Sequence, residues 1–242
     1  MKRTLFYLSS MIFLAAIAFF AGWFLRPNHD GPIPLPVLGQ VPDYTLTNQL
    51  GQDVSSTAFH GRVRVVSFLF AYCRGFCPLI ALNFMTLERV LGAADLADQV
   101  QLITFNVDPE NTGPAQLRAF QQQYGWDPHD GHWQYLTGSP GEIRRIVTDV
   151  YHVYYRRIAD DDDENETSGI ATENTIPEPV VRNRLADKAG VNYDIIHNDL
   201  MAIVDTEGRI RKIFGDADRV SDEQMMDVIE QLLPAGRHDA RP

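Results

Sequence analysis

"VRVVSFLFAYCRGFCPLI", residues 63–80, holds both cysteines of this 242-residue chain. Its first part, 63–70, is almost unbroken in apolar residues, many of them β-branched or aromatic. Such a run predicts a strand buried on both faces of a sheet. Pro78 suits the first turn of a helix and disfavours the α conformation at the residue before it. A helix is therefore predicted from Pro78 to about Leu91, capped by Cys77, with Arg74 and Gly75 in the loop before it. Cys73 falls just past the strand, where open α/β sheets hold their ligands. A thiolate at a helix N-terminus is stabilised by the dipole and the unpaired amides, and Arg74 adds a positive charge. Both thiols are expected to ionise more readily than a free cysteine. A chain this long, 45% apolar, can build a full core without a disulfide. The C-x3-C spacing leaves a redox pair, part of a metal site and an inert staple all open.

Outward from this stretch the pattern alternates. "YTLTNQLGQDVSS" reads as a hairpin turning at Gly51, and "VQLITFNV" (100–107) as a second buried strand. "AQLRAFQQQYG" (115–125) is a helix stopped by Gly125, and "WQYLT" a short strand. "SPGEIRRIVTDVYHV" is a helix with Ser139 as cap and Pro140 at its first position. "LMAIVD" and "RIRKIFG" flank Thr206-Glu207-Gly208 as a hairpin, and "SDEQMMDVIEQLL" is a closing helix. Strands alternating with helices, then a hairpin and a helix, predict an α/β sheet of the thioredoxin type spanning 43–235.

The ends and one insertion stand outside this pattern. No charge interrupts Thr4 to Leu25, which Lys2 and Arg3 precede. At ~1.5 Å per residue this stretch is about 33 Å long, enough for a bilayer core of roughly 30 Å. It ends in Gly22-Trp23-Phe24-Leu25-Arg26-Pro27, a poor cleavage site with Trp23 placed as an interfacial anchor. Residues 1–25 are thus expected to be a transmembrane anchor with its basic end cytoplasmic and the remainder exported. The absence of an Arg- and Ser-rich transit peptide points to the bacterial inner membrane, with the soluble domain in the periplasm. Residues 26–42 carry five prolines and read as an extended linker; 236–242 is a tail. Residues 159–192 form a long insertion, expected to be a solvated disordered loop. It contains "DDDDENE" at 160–166, which accounts for about half of the net charge of −11. Nothing suggests a basic nucleic-acid-binding face.

Two sulfurs rarely complete a metal site. Of the seven histidines, His29 and His238 lie in the linker and tail, His129 and His132 in a polar loop, and His60 before a turn glycine. His152 is expected to be buried at a helix-to-strand junction. His197 alone directly precedes a strand, in "NYDIIHNDLMAIVD". The strand-C-x3-C-P-helix arrangement, "FNVDPENTGPAQLRAF", "VYHVYYR" and a histidine leading into "LMAIVD" and "GRIRKIFG" together resemble the Sco/SenC family of membrane-anchored, thioredoxin-fold copper proteins. The resemblance covers about 41–233 without the insertion. It implies copper, as Cu(I) or Cu(II), bound by Cys73, Cys77 and His197, with Asp108 matching the family's aspartate after the second strand as a residue that modulates those ligands; the charge of Arg74 is expected to act beside it. It implies a metallochaperone rather than an enzyme, assisting assembly of the CuA centre of cytochrome c oxidase. Its partners would be the copper-bearing oxidase subunit and a thioredoxin-like reductant. The alternative is a thiol–disulfide oxidoreductase acting on that subunit's cysteines, which needs Cys73 and Cys77 but not His197.

Overall fold

The computed structural model describes residues 34–159 and 183–234. The expected membrane span, the start of the linker, the acidic run and the tail lie outside the described residues. Among the described residues no helix is long and apolar enough to cross a membrane.

The strands are β1 (Gly39–Gln40), β2 (Thr45–Thr47), β3 (Asp53–Ser55), β4 (Val63–Leu69), β5 (Val100–Asn106), β6 (Trp133–Leu136), β7 (Tyr155–Ala159), β8 (Tyr193–His197), β9 (Met201–Val204) and β10 (Arg209–Phe214). Six form one mixed sheet in the order β1-β10-β9-β4-β5-β6. β5 runs parallel to β4 and to β6, while β9 is antiparallel to β4. The two central apolar runs are buried along their whole length, as strands covered on both faces must be. The α-helices are α1 (Cys77–Ala93), α2 (Pro114–Gln123), α3 (Pro140–Arg144), α4 (Arg184–Ala189) and α5 (Asp222–Leu232), and short 3-10 turns join some of the elements. α3 continues as a π turn over Arg145–Val150. Ser139 caps α3 by accepting from the amide of Glu142, and Ser221 with Gln224 forms a capping box on α5.

Three features depart from expectation. Gly39–Gln40, at the end of the supposed linker, pairs with β10, so the linker's last residues close the sheet edge. The segment 183–192, assigned to a disordered insertion, contains α4 and a buried Asn183. Asn183 caps α4 and Gly190 ends it at φ 61°, signals that the neighbouring acids and prolines concealed. The third is a separate antiparallel hairpin of β7 and β8, with Tyr155 opposite His197 and Ala159 opposite Tyr193. At its start His152 is exposed with φ 57°, not buried as expected.

Candidate metal centre

β4 delivers the chain to Cys73 through Phe70 and Ala71, both fully buried. The Cys73 amide donates to the Phe70 carbonyl at 3.1 Å, a turn that redirects the chain into the loop. α1 then starts at Cys77 itself, with Phe76 in the capping position. Cys77 is therefore the first helical residue and not the cap. The reason lies in Phe76, whose αR backbone (φ −84°, ψ −18°) lets its carbonyl accept the first helical bonds. Phe76 is itself exposed beside the two buried cysteines.

His197 reaches the same place from the other side. In β8, Tyr193, Ile195 and His197 share one face by the period of two. Tyr193 and Ile195 are buried on it, while Ile196 on the other face is exposed. His197 Nε2 lies 3.8 Å from Cys77 Sγ, and Nδ1 is 3.0 Å from the Asn198 carbonyl oxygen. A carbonyl only accepts, so Nδ1 carries a proton and the Nε2 edge of the ring is turned toward the sulfurs, offering a lone pair when the ring is neutral and an N–H when it is protonated.

The two thiols differ, contrary to the sequence expectation. Hydrogen bonding from Cys77 holds the Cys73 thiol well below its usual range against the cost of burial, and His197 assists. Burial pushes the Cys77 thiol well above its range, and the Cys73 thiolate pushes it further. Burial is the largest single influence on His197 and would lower its pKa, but the hydrogen bonds to Cys73 and to the Asn198 carbonyl, with the charges of Cys73 and Asp199, together outweigh it and the net shift is upward. Arg74, in the loop between the cysteines, is held at its far end by the segment before β8. Its Nη2 donates to the Val191 carbonyl at 2.8 Å, and its charge acts on Asp194, whose pKa is raised to about 6 by burial and by Cys73.

Asp108 is joined to the strand of His197 through Tyr193. One carboxylate oxygen accepts from Tyr193 Oη at 2.5 Å and the other from Asn111 Nδ2 at 2.7 Å. Burial raises its pKa, and both hydrogen bonds oppose that. Tyr193 packs on Phe70 at 5.6 Å between ring centroids, with the Arg157 guanidinium 3.8 Å over its ring. Asp108 thus anchors the strand that carries His197. Tyr193, Asp194 and Asn183 were missed in the sequence, where only the alternation of "YDIIH" hinted at Tyr193 sharing the His197 face.

Among the described residues no group of three or more His, Cys, Asp or Glu is drawn together as a formed metal site. Cys73, Cys77 and His197 are instead in mutual hydrogen-bonding contact.

The sequence model of the SCO1/SenC family matches residues 39–175, more than half of the chain. The chain belongs to the SCO1/SenC family. Its match includes both cysteines and stops short of His197. The SCO1 protein homolog of Bacillus subtilis is 34% identical over 115 residues, 46% of this chain and 56% of that protein. The match thus spans little more than half the length of this relative. Among solved structures, Bradyrhizobium japonicum ScoI with copper bound is similar at a TM-score of 0.57 and 22% identity, over 80% of this chain and 99% of that one. BsSco, described as having a disulfide switch and as one of the Sco cytochrome c oxidase assembly proteins, is similar at 0.60 and 22%, over 84% and 99%. These likenesses establish the thioredoxin-like α/β fold for this SCO1/SenC chain.

Proposed function

We propose that this chain is a membrane-anchored copper metallochaperone of the bacterial envelope, holding copper through Cys73, Cys77 and His197 and passing it to the copper-bearing subunit of a cytochrome c oxidase. The observation that carries the reading is the His197 imidazole, turned with Nε2 toward Cys77 Sγ while Nδ1 is committed to a backbone carbonyl. Metal-binding histidines are oriented by such a bond on the other nitrogen. The donor set fits copper: thiolates favour Cu(I), and imidazole suits both oxidation states. Sulfur and nitrogen donors on one ion sit about 2.3 and 2.0 Å from it, so their mutual separation is roughly 3.5–3.8 Å. Cys77 and His197 stand 3.8 Å apart, within that reach. Loading requires loss of the thiol protons, not a rebuilt fold. The names of the similar proteins, one with copper bound and one assigned to oxidase assembly, support the same reading.

The remaining parts follow from the sequence. The uncharged stretch 4–25 anchors the chain, Lys2 and Arg3 stay cytoplasmic, and the domain works in the periplasm. A disulfide offers no thiolate to an ion, so an oxidising compartment makes a thioredoxin-like reductant a necessary partner.

A second reading, a thiol–disulfide reductase, is favoured by one observation. Cys73 is held as a thiolate beside a protonated Cys77, the arrangement an attacking sulfur needs. His197→Ala separates the two. Under the copper reading, metal analysis of the reduced protein shows one copper per chain, lost in Cys73→Ser and Cys77→Ser. His197→Ala then keeps weak Cu(I) binding, loses Cu(II), and fails to support oxidase assembly in cells. Normal assembly with His197→Ala, beside failure with Cys73→Ser, makes the protein a reductase.

A further inference from the structure

The cysteine loop is gripped from the side by the segment that follows the acidic run. Asn183 is buried, and every polar atom of its amide is used. Nδ2 donates to the carbonyl oxygens of Ala71 at 2.9 Å and Cys73 at 2.8 Å. Oδ1 accepts from the amides of Leu185 at 3.1 Å and Ala186 at 3.3 Å, and from Gln123 Nε2 at 2.9 Å. Reversing the amide would face its NH2 group with three donors and its oxygen with two carbonyls, so the network fixes its orientation. Further along the segment the direction of donation reverses, because Arg74 in the loop donates to the Val191 carbonyl. The segment reaches into the loop, and the loop reaches back.

We propose that Asn183 is a positioning residue for the cysteine pair, fixing the main chain of Cys73 where both thiols remain free and opposing their closure into a disulfide. This rests on the copper reading above for its purpose, though not for its physics. The Cys73 amide is held by Phe70 and its carbonyl by Asn183, so both peptide groups around its Cα are tied. Closure would bring the two sulfurs to about 2.05 Å. Cys73 and Cys77 would pass two electrons to a disulfide acceptor such as oxidised glutathione, which becomes two thiols by taking up two protons, supplied by the thiols of the pair so far as they are protonated and otherwise by solvent. A contact shifts a two-state equilibrium by the difference in its strength between the states. The Asn183 bonds are made with both cysteines free. Residues 183–191, which follow the acidic run, thereby become part of the machinery that keeps the site ready for metal.

The test uses the full-length chain with Asn183→Ala and Asn183→Ser. Serine retains an oxygen that caps α4 but lacks the paired donors that span two carbonyls. Each variant, free of metal, is equilibrated with reduced and oxidised glutathione, and its disulfide fraction is read by thiol alkylation. Cu(I) affinity is read separately by competition with a chromogenic chelator. The exchange constant should move toward the disulfide about tenfold in both variants, equivalent to about 30 mV for two electrons. Cu(I) affinity should fall by a similar factor, while Asn183→Ser unfolds near the wild-type midpoint. A folded Asn183→Ser with an exchange constant within twofold of wild type overturns the proposal. So does failure of both variants to fold, which would make Asn183 a residue of the fold at large. The glutathione measurement contains no copper, so a wild-type chain that binds no copper refutes the copper reading alone.

Discussion

Cys73 and Cys77 are both buried, and the difference between them lies in who donates to whom. Hydrogen bonds from Cys77 and then His197 favour ionisation of Cys73, while burial and the Cys73 charge hold the Cys77 thiol well above its usual range. At pH 7 limiting iodoacetamide should label Cys73 well ahead of Cys77, read by peptide mass spectrometry. Cys77→Ser and His197→Ala should each slow labelling of Cys73, because each weakens the donors that hold its charge. Equal labelling of the two cysteines would contradict the assignment. None of this asymmetry could be read from the sequence. Helix position and Arg74 are local signals and treat both sulfurs alike, whereas the discriminating contacts are the hydrogen bond from Cys77 to Cys73, set by how the loop folds, and then His197, which arrives from a distant strand.

Among the elements, the β9–β10 hairpin rests on Asp205. This buried carboxylate accepts from the amides of Glu207 and Arg209, from Arg209 Nε and from Arg211 Nη1. Burial alone would raise its pKa, but these bonds prevail and the net shift is downward. A carboxyl with a depressed folded pKa adds stability above its unfolded value, near 4, and loses it as pH falls through the folded value. Asp205→Asn should therefore cost about 1.5–3 kcal/mol at pH 7. In urea unfolding, the gap to wild type should narrow below about pH 4. The strands and helices around it were legible because their signals are short-range: apolar runs, a Ser-Pro start, glycines at turns. β1 was not, since two residues carry no pattern of their own and pair only because β10 offers an edge. α4 was hidden by its neighbours' composition. Cys73, Cys77 and His197 came from resemblance, and their contact needed the hairpin register.

At the scale of the whole fold, the cysteines and an unsatisfied buried cation sit at opposite ends of β4. Cys73 follows the last residue of β4, while Arg64 stands near its first, almost wholly buried. Arg64 Nε and Nη2 have no hydrogen-bond partner among the described residues. An unsatisfied buried polar group costs about 1–3 kcal/mol, and a buried charge is often replaced by an apolar group without loss. Arg64→Met should stabilise the domain by about 1 kcal/mol or more in denaturant. It should leave copper affinity and the glutathione exchange constant unchanged. A destabilised variant would mean that Arg64 has a partner beyond the described residues. The two ends also differ in tolerance. Replacing 160–182 by a glycine–serine linker should keep copper affinity within about tenfold, roughly 1.4 kcal/mol. Extending the replacement through 191 removes Asn183 and Val191, and affinity should fall further.

The β7–β8 pairing has one more consequence, for how such a chain can grow. Its register is counted from Tyr155 opposite His197, and the connection between the strands leaves from the opposite end, where Ala159 faces Tyr193. Residues added beyond that end lengthen the excursion without altering which way His197 points. One residue added between Ile195 and His197 would turn the imidazole to the outer face, because a strand alternates its side chains. The same insertion is therefore harmless or fatal according to parity and place. A lineage could enlarge this excursion by any number of residues, odd or even, while its histidine kept the same aim.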